Sequence, residues 1–176
     1  HGLYVGQVLL TMSDITDLKR FLNILNTLLT LLEWGVITII NENDTVSVDE
    51  IKFGDNDHLA AMVANLMEAH LVVNLTSTEG FYDQNPAESK KAKLIPLVTE
   101  ITPEIEAGAA EEGTPVGMGG MKSKILAAKK VMAFGIPYII APGRRQGVLQ
   151  EIIDGKETGT LFLPMQDHLN SRKYWI

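Results

Sequence analysis

Short apolar runs alternate with longer amphipathic segments along the chain. Residues 5–10 predict a strand, and the leucine-rich stretch 18–32 predicts a helix that ends at Gly35. Residues 36–40 form a continuous run of mostly β-branched side chains, which is typical of a buried parallel strand. The chain therefore opens with a predicted strand, helix and strand.

The same alternation continues to residue 163. Helices are predicted over 55–68, 122–134 and 148–154, strands over 71–76, 136–141 and 160–163, and loops with short strands near 93–98 over the interval 78–115. Strands that alternate with helices favour a sheet covered on both faces. We therefore predict an α/β fold, a three-layer αβα sandwich with a mainly parallel sheet.

Composition and charge narrow the range of functions. The chain has 176 residues, 45% of them hydrophobic, and a net charge of −7 without a long basic block, so a nucleic-acid partner is not expected. No segment approaches the ~20 consecutive apolar residues that a membrane span needs. The absence of cysteine excludes disulfides and thiolate metal sites and suits a cytoplasmic location.

A glycine-rich stretch, VGMGGMKSK at 116–124, precedes the predicted helix 122–134. It is not a Walker A loop, because Met121 separates Gly120 from Lys122. Glycines let backbone amides approach an anion closely, the start of a helix adds a positive dipole end, and lysines add charge. A phosphate site and a plain glycine turn with solvated lysines are the two interpretations of this stretch.

Two acid- and amide-rich motifs, NEND and GDND, follow the second predicted strand and precede the helix 55–68. In open parallel sheets ligands bind beyond the carboxyl ends of the strands. Capping and Asx turns alone need fewer such residues, so we favour a ligand site over that simpler explanation. The residues concerned are Asn41, Asn43, Asp44, Asp55, Asn56 and Asp57.

Polar residues also follow the next strand, in TSTEGFYDQNP at 76–86. Thr76 and Ser77 end the strand, and the segment either contacts a nucleotide base or ribose or is only a polar turn.

An EF-hand is rejected because neither acidic motif has the glycine that its loop requires. Hydrolysis by a serine nucleophile is not supported, because no histidine and acid relay is apparent.

These motifs, in this order, resemble the kinase domain of the glutamate 5-kinases, a group within the amino acid kinase family. The resemblance covers nearly the whole chain, and the combination of NEND, GDND and GGM-x-x-K is quite specific. The matching phrases are VGQVLLT, IINENDTV, EIKFGDNDHLAA, GFYDQNP, GMGGMKSK, IIAPG and RKYWI.

The resemblance implies a transferase that phosphorylates the side-chain carboxylate of L-glutamate with ATP and Mg²⁺, the first step of proline biosynthesis. It also implies a homo-oligomer and proline as a possible feedback inhibitor. By matching motifs, Asp57 and Lys124 would be catalytic, with Asp57 organising the lysines. Asn41, Asp44 and Asn56 would bind glutamate. Nucleotide-binding roles would fall to Thr76, Ser77, Met118, Gly119, Gly120, Met121, Lys122, Ser123 and Lys124.

The resemblance also sets expectations for domain content. Residues 1–176 match the C-terminal two-thirds of such a domain, so we expect the first strand with its glycine turn to lie upstream, and no PUA domain. Ser77 stands where the family usually has Asp, and Met118 where Thr is common. Two alternatives are a non-catalytic nucleotide- or amino-acid-binding module and, less well matched, another amino acid kinase.

Overall fold

A computed structural model describes residues 1–46, 55–111 and 120–164. Within these ranges the chain forms six strands and six helices. In chain order they are β1 (Val5–Leu10), α1 (Met12–Thr16), α2 (Leu18–Glu33), β2 (Ile37–Glu42), α3 (Asn56–Leu66), β3 (Val72–Thr76), β4 (Leu97–Val98), α4 (Pro103–Glu111), α5 (Met121–Ala133), β5 (Tyr138–Pro142), α6 (Val148–Ile153) and β6 (Thr160–Phe162).

The strands belong to two hydrogen-bonded sheets. β1 and β2 pair in parallel, with Val5 opposite Ile37 and Leu10 opposite Glu42. The second sheet has the order β3-β5-β6-β4, in which β3 with β5 and β4 with β6 are parallel. The predicted α/β fold with mainly parallel strands is confirmed.

One pair of strands departs from the predicted parallel arrangement, because β5 and β6 run antiparallel. Only α6, a helix of six residues, lies between them. Such a helix is ~9 Å long, whereas the five residues of β5 extend ~17 Å. The helix is therefore shorter than the strand it would have to run back along, and turns make up the rest of the connection.

The larger hydrophobic core lies between the four-stranded sheet and helices α3, α4 and α5. Helix α5 supplies the fully buried Ile125, Val131 and Met132. The ring of Tyr138 on β5 meets that of Phe162 on β6 edge to face, with centroids 6.0 Å apart. β5 is buried along almost its whole length. This core therefore holds in place the strand against which α5 packs.

A smaller core joins the two-stranded sheet to α2 and α3. Leu10, Ile15 and Leu59 are its buried members, and Val8 and Ile40 pack against them. Helix α3 contacts β2, β3 and α5, so it is the element that connects the two sheets. Residues on the opposite face of β1 and β2, including Ile37 and Ile39, are exposed.

Helix α4 lies inside an interval predicted to contain only loops and short strands, so that prediction is wrong. Pro103 occupies the first helical position, where its missing N–H costs no bond, and Glu104 and Glu106 favour the helix N-terminus. Gly108 and the low apolar content obscured the helix in the sequence. The strand expected near 93–98 shrinks to Leu97–Val98.

Candidate functional site

The N-terminus of α3 presents two carboxylates from the GDND motif. Asp55 is the N-cap, and its Oδ1 accepts the backbone N–H of His58 at 2.7 Å. Asp57 lies in the first helical turn, where a negative charge interacts favourably with the helix dipole. Capping thus accounts for Oδ1 of Asp55. The other oxygen of Asp55 and the carboxylate of Asp57 remain for other contacts.

The glycine-rich stretch ends at the N-terminus of α5. Gly120 is the N-cap, and its carbonyl accepts the backbone N–H of Ser123 at 3.1 Å. Met121 is buried, Lys122 is exposed, and Ser123 and Lys124 are partly buried. The helix therefore directs Ser123 and Lys124 inward, towards α3.

Asp57 lies at the centre of a polar cluster that joins three elements. Its Oδ2 accepts a hydrogen bond from Lys124 Nζ at 2.9 Å and one from Ser123 Oγ at 3.0 Å. Its Oδ1 accepts from Asn74 Nδ2, on β3, at 2.5 Å. The side chains of Lys124 and Asp57 are each 12% exposed, so this ammonium does not point into bulk water.

Asn74 is the member of this cluster that the sequence analysis missed. It interrupts the apolar strand β3, in the run LVVNLT, where a polar side chain needs a buried partner. That interruption was the available signal. Its amide holds one oxygen of Asp57 while Lys124 engages the other, which fixes the plane of the carboxylate.

Ser123 also contacts Asp55, the N-cap of α3. Its Oγ lies within hydrogen-bond distance of Oδ2 of Asp55 as well as of Oδ2 of Asp57. Tyr138 lies beside these acids on β5, and burial, followed by the charge of Asp57, raises the pKa of its hydroxyl well above the ordinary value. The phenol therefore stays neutral.

His58 and Lys130 form a second contact between α3 and α5. Lys130 Nζ lies 2.7 Å from Nδ1 of His58. Partial burial lowers the pKa of His58, and the charge of Lys130 lowers it further, while Asp55 acts in the opposite direction. The lowered pKa favours the neutral imidazole, which can accept a hydrogen bond from the Lys130 ammonium.

The residues predicted to bind glutamate lie at the end of β2 and the start of α3. Asn41 is exposed and its Oδ1 accepts the backbone N–H of Glu42 at 2.9 Å. Asp44 is exposed in a turn that the backbone N–H of Asn43 ties to Leu10 O at 2.8 Å. Asn56, the first residue of α3, is exposed as well. Among the described residues, these three side chains form no hydrogen bond or ion pair with the Asp57 cluster.

The predicted nucleotide residues are only partly described. Thr76 ends β3, and its carbonyl accepts the N–H of Gly143 at 2.7 Å, so the carboxyl ends of β3 and β5 stay together. Ser77 follows as an exposed residue. Met118 and Gly119 lie outside the described residues.

A cavity of about 450 Å³ opens beyond β3, at the GFYDQNP segment. Its walls combine two aromatic residues with hydrogen-bond acceptors and one side of α4. The residues that line it are Phe81, Tyr82, Asp83, Gln84, Asn85, Glu88, Ser89, Ile95, Glu104, Ile105 and Gly108. Among the described lining residues there are three carboxylates and no cationic side chain, which makes the cavity unsuited to a phosphate but suited to a group that donates hydrogen bonds.

Clusters of metal ligands and membrane-spanning helices are both absent from the described ranges. No group of three or more histidine, aspartate or glutamate side chains there is placed to hold a metal ion. In the same ranges, none of the helices combines the length and the apolar character needed to cross a bilayer.

The sequence is similar to a known protein family and to individual members of it. The model of the amino acid kinase family matches residues 1–142. A glutamate 5-kinase of Syntrophus aciditrophicus is 74% identical over all 176 residues, which cover 46% of that protein. One from Pelobacter propionicus is 53% identical over 176 residues, 47% of its length. The chain thus spans about half the length of these curated relatives.

Solved structures give the same fold. UMP kinase from Bacillus anthracis matches with a TM-score of 0.60 and 15% identity, over 93% of this chain and 59% of that one. Isopentenyl phosphate kinase of T. acidophilum matches with a TM-score of 0.57 and 16% identity, over 92% of this chain and 60% of its own. At such identities the likeness shows the fold alone.

Proposed function

Because the chain belongs to the amino acid kinase family, we propose that it carries the phosphoryl-transfer site of a glutamate 5-kinase. The reaction would convert L-glutamate and ATP into L-glutamyl 5-phosphate and ADP, the first step of proline biosynthesis. The observation that supports this proposal most directly is the partly buried ion pair of Asp57 and Lys124, which joins the N-termini of α3 and α5. Both partners come from the motifs shared with the kinases.

The chemistry explains why a held lysine is needed. A glutamate carboxylate oxygen forms a bond to the γ-phosphorus, while the bond from that phosphorus to the β–γ bridging oxygen breaks and ADP leaves. Attack of an anion on a polyanion gathers negative charge, and catalysis consists mostly of positioning and charge stabilisation. We assign Lys124 to the transferring phosphoryl group and Asp57 to holding that ammonium in place.

Preorganisation is the contribution of the surrounding cluster. Asn74 donates to the same carboxylate as Lys124, so the position of the ammonium is defined before any ligand binds. A fixed donor has little reorganisation to undergo during the reaction. Asn74 is therefore a positioning residue in the proposed site, acting through Asp57.

The remaining assignments follow the resemblance. Asn41, Asp44 and Asn56 would bind glutamate, and their exposure leaves them accessible to a ligand. Nucleotide phosphates would lie at the start of α5, near Gly120 and Lys122, with Thr76, Ser77 and residues 118–124 around the nucleotide. The helix N-terminus supports this placement through its unpaired N–H groups and positive dipole end.

Mg²⁺ is proposed to arrive with the nucleotide. The described residues offer two neighbouring carboxylates, Asp55 and Asp57, and both already accept hydrogen bonds from protein donors. That fits a magnesium ion bound chiefly by phosphates and water, as is common in kinases. When bound, the ion would neutralise phosphate charge.

The cavity at the GFYDQNP segment is a candidate subsite for the nucleobase. Phe81 and Tyr82 provide apolar surface, and the carboxylates of Asp83, Glu88 and Glu104 can accept hydrogen bonds from an exocyclic amino group. A cytoplasmic location, a homo-oligomeric state and feedback inhibition by proline are further proposals that rest on the resemblance alone.

The proposal is tested by removing the cation at position 124. In Lys124→Met, glutamyl phosphate trapped with hydroxylamine should form at least ~100-fold more slowly, the effect typical of losing one transition-state donor. KM for glutamate should change little. The matched control is Lys129→Met, on the same helix, where the lysine pairs with Glu106 at the surface.

Two outcomes would contradict the assignment. Equal rates in Lys124→Met and Lys129→Met would remove Lys124 from the reaction. Stabilisation of the unmodified chain by MgATP or glutamate in thermal melts, without any turnover, would instead favour the non-catalytic binding module.

A further inference from the structure

We propose that Ser123 is a positioning residue that couples the glutamate side of the site to the nucleotide side, an inference that rests on the proposed kinase function. The resemblance places Ser123 only among the residues that bind the nucleotide. In the structure its hydroxyl lies instead between the carboxylates of Asp55 and Asp57. The contact spans two helices that start on different loops of the site.

The donors around each carboxylate show which of the two needs this hydroxyl. A serine hydroxyl has one proton to donate. Asp57 already accepts from Lys124 and Asn74, whereas among the described residues Ser123 is the donor that reaches Oδ2 of Asp55. We therefore infer that the proton of Ser123 goes to Asp55, and that its contact with Asp57 is secondary.

The place of these two residues in the chain gives the hydrogen bond its functional meaning. Asp55 directly precedes Asn56, which is proposed to bind glutamate, and Ser123 directly precedes Lys124, which is proposed to bind the transferring phosphoryl group. A bond between them ties the start of α3 to the start of α5. When one ligand orders either helix start, the other start is held closer to its bound position.

The expected consequence is thermodynamic coupling between the two ligands. Each should tighten the binding of the other by the same factor, because coupling between sites is reciprocal. A residue that only supports the fold would alter stability or both affinities, but it would not link them. Coupling is therefore the readout that separates positioning from structural support.

The sharpest test compares Ser123→Thr with Ser123→Val in the full chain. The two side chains have nearly the same shape, and only threonine retains the hydroxyl. Calorimetry would measure Kd for MgATP, or for its non-hydrolysable analogue, with and without saturating L-glutamate. We expect at least ~5-fold coupling, the lower end of typical values, in the unmodified chain and in Ser123→Thr, and a factor near one in Ser123→Val.

A smaller variant guards against failure to fold. Ser123→Ala removes the hydroxyl without adding volume, and it should lose coupling as Ser123→Val does while still giving a cooperative thermal melt. Coupling that persists in both variants overturns the role of Ser123 and leaves the kinase proposal intact. So does a shift in the melting temperature alone, which would mark Ser123 as structural.

Failure of the proposed function gives a different result. An unmodified chain that binds neither MgATP nor glutamate would overturn both proposals together. An unmodified chain that binds both ligands independently would overturn only the coupling role of Ser123.

Discussion

A single carboxylate, that of Asp57, collects donors from β3 and α5. Hydrogen bonds to charged groups are roughly twice as strong as neutral ones, and Lys124 supplies one of them. Removing one partner of a buried ion pair typically costs ~3–5 kcal/mol, because the other charge is left unpaired. With side chains 12% exposed, this pair lies towards the buried limit, so the lysine is held in place by the fold itself.

His58 provides a prediction at the residue scale. Burial and the charge of Lys130 lower its pKa in the folded protein, so folding favours the neutral ring. This contribution to stability is present above the unfolded value of 6.5 and is lost as pH falls through the lower folded pKa. In His58→Gln, the melting temperature should therefore decrease less on acidification through this range than in the unmodified chain.

A control variant and an independent measurement test this role of His58. His70→Gln, at an exposed histidine before β3, should keep the acid sensitivity of the unmodified chain. In Lys130→Met, NMR titration of the His58 ring should show a higher pKa, since the second cause of its lowering is gone. An unchanged pKa there would mean that the contact between the two side chains has no energetic weight.

At the scale of elements, the turn into β6 depends on a glycine. Gly159 has φ of +75°, and a Cβ built on it would lie 2.0 Å from the carbonyl oxygen of Ile140, on β5. Gly159→Ala must therefore displace the β5–β6 pairing. We expect a loss of at least ~3 kcal/mol in the free energy of unfolding, more than the ~1–2 kcal/mol of left-handed strain alone, measured by urea titration.

Gly155 is the matched position for this prediction. Its φ is +77°, but a Cβ there would meet no atom within 4 Å. Gly155→Ala should lose only the ~1–2 kcal/mol of backbone strain. Equal losses in the two variants would show that conformation rather than the close approach of β5 and β6 determines the requirement for glycine.

Periodicity in the sequence was sufficient for most elements. Helix α5 was predicted at 122–134 and begins one residue earlier, and β3 was predicted at 71–76 and begins one residue later. Helix α4 was missed because its face carries few apolar residues. The direction of β6 was missed because pairing depends on how the chain returns through space, which the local sequence of the connection does not encode.

Residues of the candidate site were predictable to the extent that they lie in motifs. The motifs placed Asp57 and Lys124 in one site, but nothing in a linear spacing of 67 residues shows that they touch. The contact of Asn74 and the double contact of Ser123 arise from the packing of α3 against β3 and α5. Such contacts depend on tertiary geometry, which is why sequence patterns reached the residues and not their bonds.

At the scale of the whole molecule, the two sheets are covered unequally. Side chains of β1 and β2 alternate, so Val8 and Ile40 face α2 and α3 while Val5, Ile37 and Ile39 are exposed among the described residues. Strands with one apolar face in water are prone to association. The exposed face should therefore limit the solubility of this chain without contributing to its stability.

Substitutions of two adjacent isoleucines on β2 distinguish the effect on solubility from the effect on stability. Ile39 is 53% exposed, so Ile39→Thr should reduce concentration-dependent light scattering and binding of an apolar dye while changing the free energy of unfolding by less than ~0.5 kcal/mol. Ile40 packs against the smaller core, so Ile40→Thr should lose ~2–4 kcal/mol through the cavity and the buried hydroxyl. Comparable destabilisation in both variants would mean that the outer face of the two-stranded sheet is covered in solution, and the apolar side chains of β1 and β2 would then have to be assigned to an interface.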